Sequence, residues 1–231
     1  VGRIPAGVAT MQKDAWYFQK DIVKNYESYY QQKYKRADRS EKALLKKLLD
    51  NLGETKSLLE VGCGTCHFTR WFESLGLECC GLDLSDMMLK EANEAWTKGM
   101  LLQGESSFMP FKNESFDVVA FIACMVYMPD PIKVICEASR VARKGIIFGL
   151  INKWSLPTLR RMIQVKMGKN PYYKNANFYS ILDMKRMLKD ALGDAYTISY
   201  WNTTVFPNNF EQLRSSLFPF GAFLGVAVKL R

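Results

Sequence analysis

Residues 57–66, SLLEVGCGTC, carry a strand, a turn and the start of a helix in one short stretch. The run Ser57–Val61 is short and apolar, as a strand buried on both faces is. Gly62 and Gly64 then allow the backbone to turn tightly and to approach a ligand closely. The amides that open the following helix would point at that ligand. Helical spacing of apolar residues takes over from about Thr65 to Leu75.

The same step repeats down the chain. Glu78–Leu82 reads as a second strand ending at Asp83, and Ser85 caps a helix that runs towards Trp96. Met100–Leu102 is a short third strand and Phe116–Ala123 a fourth. Asp130 as cap and Pro131 at the first position open a helix to about Val141. Lys144–Ile151 is a fifth strand. Ser180–Leu192 is an amphipathic helix, and the β-rich segments Tyr196–Phe206 and Gly221–Leu230 close the chain as a hairpin-like pair. That pair suits an antiparallel edge on a mostly parallel sheet. Upstream, Ala15–Leu52 reads as helical. Its Tyr17, Tyr26, Tyr29, Tyr30 and Tyr34 lie at helical spacings, which usually mark a face packed on the sheet. Alternation of this kind predicts a doubly wound α/β sheet, whose ligands bind beyond the carboxyl ends of the strands.

Composition narrows the class. With 48% hydrophobic and 24% charged residues in 231, the chain has the makeup of a globular protein, so disordered and collagenous readings fall away. No apolar stretch is long enough to suggest a membrane span, and the opening VGRIPAGVAT has no secretory apolar core, so a soluble, cytoplasmic protein is expected. Six cysteines in a chain of this size are expected to be reduced thiols. His67 is the single histidine, which removes most His-based triads and zinc-hydrolase schemes. The net charge of +9 is uneven: +5 over residues 1–56, −4 over 57–150 and +8 over 151–231. Basic flanks around an acidic centre serve solubility, or meet something anionic.

A carboxylate at the end of the second strand, Asp83, can accept both hydroxyls of a ribose. The third glycine of a dinucleotide fingerprint would fall at residue 67, where this chain has His67, so nicotinamide dinucleotide is disfavoured while nucleoside binding survives. The segments LLEVGCGT, GLDLSDMML and GESSFMPFKNESFDVV, in that order, resemble the successive motifs of class I S-adenosylmethionine-dependent methyltransferases. The nearest likeness is to the ubiquinone/menaquinone biosynthesis methyltransferase-like group, and it runs from about Tyr26 to Gly149. The resemblance implies a Rossmann-like, mostly parallel seven-stranded sheet with an antiparallel last strand. It also implies one methyltransferase domain over 1–231: an N-terminal helical lid (1–56), a cofactor-binding core (57–150), a cap insertion after the fifth strand (151–180), and a C-terminal helix and strands (181–231).

The implied cofactor is S-adenosyl-L-methionine, leaving S-adenosyl-L-homocysteine as product. By position, Glu60 and the Gly62–Cys63–Gly64 backbone would hold the methionine part and Asp83 the ribose. Leu84 and Met88 would pack on the adenosine, Glu105 and Ser106 would sit at the adenine edge, and Cys124 beside the sulfonium. Lid residues Tyr26 and Tyr30 would reach the cofactor, and Tyr127 and Met128 would wall the acceptor. Cys66 stands where relatives carry a third glycine, so its side chain either crowds the cofactor or points inward. The implied reaction is methyl transfer by in-line displacement to a small-molecule acceptor, aromatic or anionic. An RNA methyltransferase and an inactive, cofactor-binding partner subunit remain as alternatives. A general base, if the acceptor needs one, would be His67, Tyr127 or a lid tyrosine.

Sharper stories for the same residues are weaker. Cys63-Gly64-Thr65-Cys66-His67 matches the haem-attachment pattern and contains a redox-type Cys-x-x-Cys, yet the nucleotide turn already explains the segment. A zinc site would need these cysteines to converge with Cys79 and Cys80 from strand ends that point apart, and no metal is expected. The stretch from Trp154 to Tyr179 interleaves Lys and Arg with aromatics. That is a substrate cap, a nucleic-acid surface or a solvated face.

Overall fold

The computed structural model describes residues 15–32, 35–96, 100–205 and 218–231, the side chains of 27–32 and 171 excepted. Seven strands form one sheet: β1 (Ser57–Val61), β2 (Glu78–Asp83), β3 (Met100–Gln103), β4 (Phe116–Ile122), β5 (Ala142–Ile151), β6 (Tyr196–Thr204) and β7 (Phe223–Leu230). Their order is β3-β2-β1-β4-β5-β7-β6. β7 runs antiparallel to both β5 and β6, while the pairs among β1 to β5 are parallel. The last two strands thus form the expected antiparallel edge of a mostly parallel sheet, and β7 is its antiparallel last strand. It is slotted in beside β5, and β6 takes the edge. Burial explains the choice: β7 is apolar along Phe223–Val228 and buried throughout that run, whereas β6 is mostly half-exposed.

Seven α-helices accompany the sheet among the described residues: α1 (Lys20–Gln32), α2 (Lys35–Leu52), α3 (His67–Ser74), α4 (Asp86–Ala95), α5 (Pro131–Val141), α6 (Leu156–Lys166) and α7 (Ile181–Leu192). The stretch read as helical, 15–52, comprises a 3₁₀ turn at Trp16–Phe18 and the helices α1 and α2. Strand residues alternate between two cores, as the pleat requires. Leu59, Val119, Phe121, Ile146 and Phe148 pack with α5 and α7 on one face. Leu58, Val118, Ala120, Ile122 and Ile147 pack with the leucines of α2 and with Phe68 and Phe72 of α3 on the other.

Local signals were obeyed at the helix starts. Ser85 accepts from the Met88 N–H and Asp130 from the Lys133 N–H, each satisfying a donor that the first helical turn leaves open. Ser180 and Asp183 close a reciprocal capping box on α7. At the opposite end of the sheet, Asp117 ties three strands together. It accepts from the Lys56 N–H (2.8 Å) and Arg143 Nη1 (2.7 Å), with Lys144 Nζ at 3.5 Å. Strand order reverses between β1 and β4, so a crevice opens where their carboxyl ends part.

Candidate functional site

A cleft of about 900 Å³, open mouth included, fills that crevice. Its floor is backbone. Gly62 (φ +70°) and Gly64 (φ +53°) take the left-handed conformation, and a Cβ at Gly62 would lie 2.6 Å from Cys124 Cβ. Glycine is required there on both counts. Cys66 (φ 62°) and Ala123 (φ 56°) share this conformation without being glycine, which costs about 1–2 kcal/mol each. Strained backbone thus gathers at the mouths of β1 and β4.

Asp83, at the end of β2, lines the cleft. Its Oδ2 accepts from the Gly64 N–H and its Oδ1 from the Ser85 N–H, both at 2.8 Å. Each oxygen keeps a lone pair for a ligand hydroxyl. Burial raises the Asp83 carboxyl above its ordinary range, and the Ser85 and Gly64 amides oppose the rise. Ser85 reaches back as well: its Oγ donates to the Tyr17 carbonyl at 2.6 Å, fastening the N-terminal 3₁₀ turn to the end of β2. From the loop after β3, Glu105 and Ser106 enter the wall, and Glu105 Oε2 is buried with no hydrogen-bond partner.

The roof is aromatic. Trp16 stacks on Tyr26 (ring centroids 5.3 Å apart) and meets Tyr127 and Tyr172 edge-on at 5.9 and 6.1 Å. Tyr173 stacks on Tyr127 at 6.4 Å. Pairs of this kind contribute about 0.5–1.5 kcal/mol each beyond their buried area. Burial, helped by the charge of Asp83, pushes the Tyr17 hydroxyl up to about 12, and burial raises that of Tyr127 well above its ordinary value. Both stay protonated at neutral pH.

Of the residues singled out from sequence, Tyr26, Gly62, Gly64, Asp83, Leu84, Met88, Glu105, Ser106, Cys124, Tyr127 and Met128 line the cleft together. The side chain of Tyr30 lies outside the described residues. Three others are not brought in. The Glu60 carboxylate is buried beneath the floor, where Thr69 Oγ1 donates to it, and burial pushes it well above its ordinary value. Cys63 turns its sulfur towards Gly81 and packs with Cys66, Ala92 and Trp96, so only its backbone belongs to the turn. His67, at the start of α3, is held away by Asp38 Oδ1 at 2.6 Å and lies 3.2 Å from Lys42 Nζ. Cys66 is fully buried and points inward, away from the cleft.

Sequence reasoning missed Trp16, and assigned Tyr17 to a helical core face. Both line the cleft because the chain leaves helical geometry at 16–18. Val61, Leu82, Gly104, Ile122, Ala123 and Pro129 complete the lining. They follow from the rule that strand ends face the ligand, but no residue-level signal marks them. Among the described residues no three His, Cys, Asp or Glu side chains converge as metal ligands. None of the described helices is long and apolar enough to cross a membrane.

The residues fit an adenosyl cofactor bearing a sulfonium. Asp83 offers spare acceptors, the orphaned Glu105 oxygen awaits a donor such as an exocyclic amine, and the glycine turn leaves room that side chains would fill. No Lys or Arg is among the described lining residues, while two carboxyl groups are, a balance that favours a cation.

Comparison with known proteins agrees with the geometry. Residues 59–149 match the methyltransferase domain family. An uncharacterized protein of Methanocaldococcus jannaschii is 36% identical over 134 residues, covering 57% of this chain and 62% of that protein. A malonyl-[acyl-carrier protein] O-methyltransferase of Hamiltonella defensa is 28% identical over 143 residues, covering 60% of this chain and 55% of that protein. The chain thus spans less than two thirds of the length of either relative. In fold it is similar to a solved Thermotoga maritima S-adenosylmethionine-dependent methyltransferase, described as a possible histamine N-methyltransferase. The TM-score is 0.71 at 22% identity, covering 94% of this chain and 100% of that one.

Proposed function

We propose that the protein, whose residues 59–149 match the methyltransferase domain family, is a class I S-adenosylmethionine-dependent methyltransferase that methylates a small acceptor held under the aromatic roof of its cleft. The cofactor supplies an electrophilic methyl on a sulfonium. The protein binds, aligns and dries the site, a positioning effect worth up to about 7–11 kcal/mol. Asp83 takes the ribose, Glu105 and Ser106 the adenine edge, Leu84 and Met88 the adenosine faces, and the Gly62–Gly64 backbone and Cys124 the methionine end. Within one domain, the described part of the N-terminal segment, from Ala15 to Lys56, acts as lid and 151–180 as cap.

The observation that carries this reading is Asp83, bonded to the amide of the left-handed Gly64, in one cleft with the unpartnered Glu105 oxygen. The lining also speaks to the acceptor. Tyrosine and tryptophan rings with carboxylates, and no Lys or Arg among the described lining residues, suit a neutral or cationic aromatic or amine better than an anion. RNA is the second reading, favoured by the cap's basic surface rather than by the cleft. An inactive partner subunit loses its motive, because Cys66 points away from the cleft. The test is methyl transfer from labelled S-adenosylmethionine to panels of aromatic amines, phenols, carboxylic acids and RNA. Labelling of amines or phenols is expected. Labelling confined to RNA, or none by protein that binds the cofactor, would overturn the proposal.

A further inference from the structure

The strongest feature outside the cleft is the outer face of α6. Leu156, Leu159 and Ile163 on the helix and Met167 at its carboxyl end are 73%, 52%, 51% and 58% exposed. At 100° per residue the four fall within an arc of roughly 80°, a single apolar stripe pointing at solvent. The opposite arc carries Thr158, which is buried, and Arg161, whose guanidinium lies over the Tyr173 ring at 5.7 Å. The helix is therefore seated by one face, and among the described residues its most apolar face is left exposed.

Charge flanks the stripe on both sides. Arg160 falls next to Met167 around the helix, and Lys166 next to Leu159, and both are exposed. Residues 151–180 contain six Lys and Arg and no Asp or Glu. Trp154, 36% exposed, stands just before the helix. Asn152 Nδ2 donates to the carbonyls of Pro219 and Gly221, which brings Phe220, 50% exposed, to the same end.

We propose that this face docks on the surface of an anionic lipid bilayer, with α6 lying in the interfacial plane. An apolar stripe with aromatic residues at one end and basic residues along both margins has the layout of an interfacial helix. The basic side chains meet lipid phosphates while Leu156, Leu159, Ile163 and Met167 enter the acyl boundary. A nucleic acid would engage Arg160 and Lys166 but give the four aliphatic side chains nothing to bury against. A second copy of the chain would bring an equally basic stretch to the same face, like charge against like. The cap that carries α6 also delivers Tyr172 and Tyr173 to the cleft roof, so docking would set the mouth of the cleft beside the membrane surface.

The experiment is co-sedimentation of the whole protein with vesicles of phosphatidylcholine alone, or one-third phosphatidylglycerol. Two double variants accompany it, Leu159→Ser with Ile163→Ser and Arg160→Glu with Lys166→Glu. Thermal midpoints and S-adenosylhomocysteine affinity report that each remains folded. Wild type is expected to pellet with the anionic vesicles and not the neutral ones, less so at high salt. Each double variant should lose about ten-fold or more in partition, the charge pair because basic residues near an anionic surface add to binding and the serine pair because inserted aliphatic side chains do so by burying apolar surface. Equal pelleting with both vesicles, no pelleting, or variants that pellet like wild type would overturn the proposal. So would a dimer abolished by the serine pair, which assigns the face to a second copy. Capture on RNA that needs Arg160 and Lys166 but not Leu159 and Ile163 would assign it to nucleic acid.

Discussion

Replacing Gly62 by alanine tests whether the cleft floor is built as described. The residue has φ +70°, so any Cβ there carries left-handed strain of about 1–2 kcal/mol. The new Cβ would also lie 2.6 Å from Cys124 Cβ and 2.9 Å from its Sγ. Cys124 cannot retreat freely, because its Sγ donates to the Val61 carbonyl at 3.0 Å. Relieving that overlap costs a further 1–3 kcal/mol or so. Gly62→Ala should therefore lose about 2–5 kcal/mol of stability in urea denaturation. Repeating the substitution in a Cys124→Gly background separates the two causes: the overlap disappears and only about 1–2 kcal/mol remains. An equal loss in both backgrounds, or no loss in either, would refute the claim that Gly62 and Cys124 are packed against each other at the floor.

Three more outcomes follow from the same contacts. If Asp83 takes the ribose as proposed, affinity for S-adenosylhomocysteine should rise with pH across the range just above ordinary carboxylate values, because Asp83 is held partly protonated there and its anion is the better acceptor; Asp83→Asn should flatten the profile in calorimetry. The raised value carries the opposite sign for folding, so the same ionisation lowers the stability of the free protein as pH rises. At Asp117 burial alone would raise the carboxyl, but the Lys56 N–H, Arg143 and Lys144 hold it below its usual range. Asp117→Asn should cost about 1–3 kcal/mol at neutral pH, and the deficit in chemical denaturation should fade as pH falls from the ordinary carboxylate value through the lowered one. His67→Ala should leave labelled-methyl turnover near wild type, since Asp38 holds the ring outside the cleft; a drop of roughly 10²–10⁴-fold would restore His67 as the base.

Most of the fold was legible because its signals are local. Ser85, Asp130 and Ser180 announce helix starts by chemistry confined to one turn, and buried parallel strands are continuous apolar runs. What failed depended on distant partners. Nothing near Glu60 indicates that Thr69, one helix away, will claim its carboxylate beneath the floor. His67 looked free until α2 brought Asp38 to it. The break at residues 16–19 is set by Ser85 Oγ gripping the Tyr17 carbonyl across 68 positions, so Trp16 and Tyr17 could not be separated from the tyrosine stripe of α1 by spacing alone. The slot taken by β7 is likewise a tertiary choice. It buries the more apolar of two adjacent strands, a comparison that periodicity within either one does not make.

The central claim is that Asp83 anchors an adenosyl cofactor, and one calorimetric titration tests it most directly. S-adenosylhomocysteine is titrated into wild type and into folded Asp83→Asn, with nicotinamide adenine dinucleotide as control. The account predicts that wild type binds S-adenosylhomocysteine and not the dinucleotide. It predicts that the substitution, by removing a charged acceptor worth about 1.5–3 kcal/mol, weakens binding roughly ten- to hundred-fold. Folded wild-type protein that ignores S-adenosylhomocysteine, or binds it with the same affinity after the substitution, would contradict it.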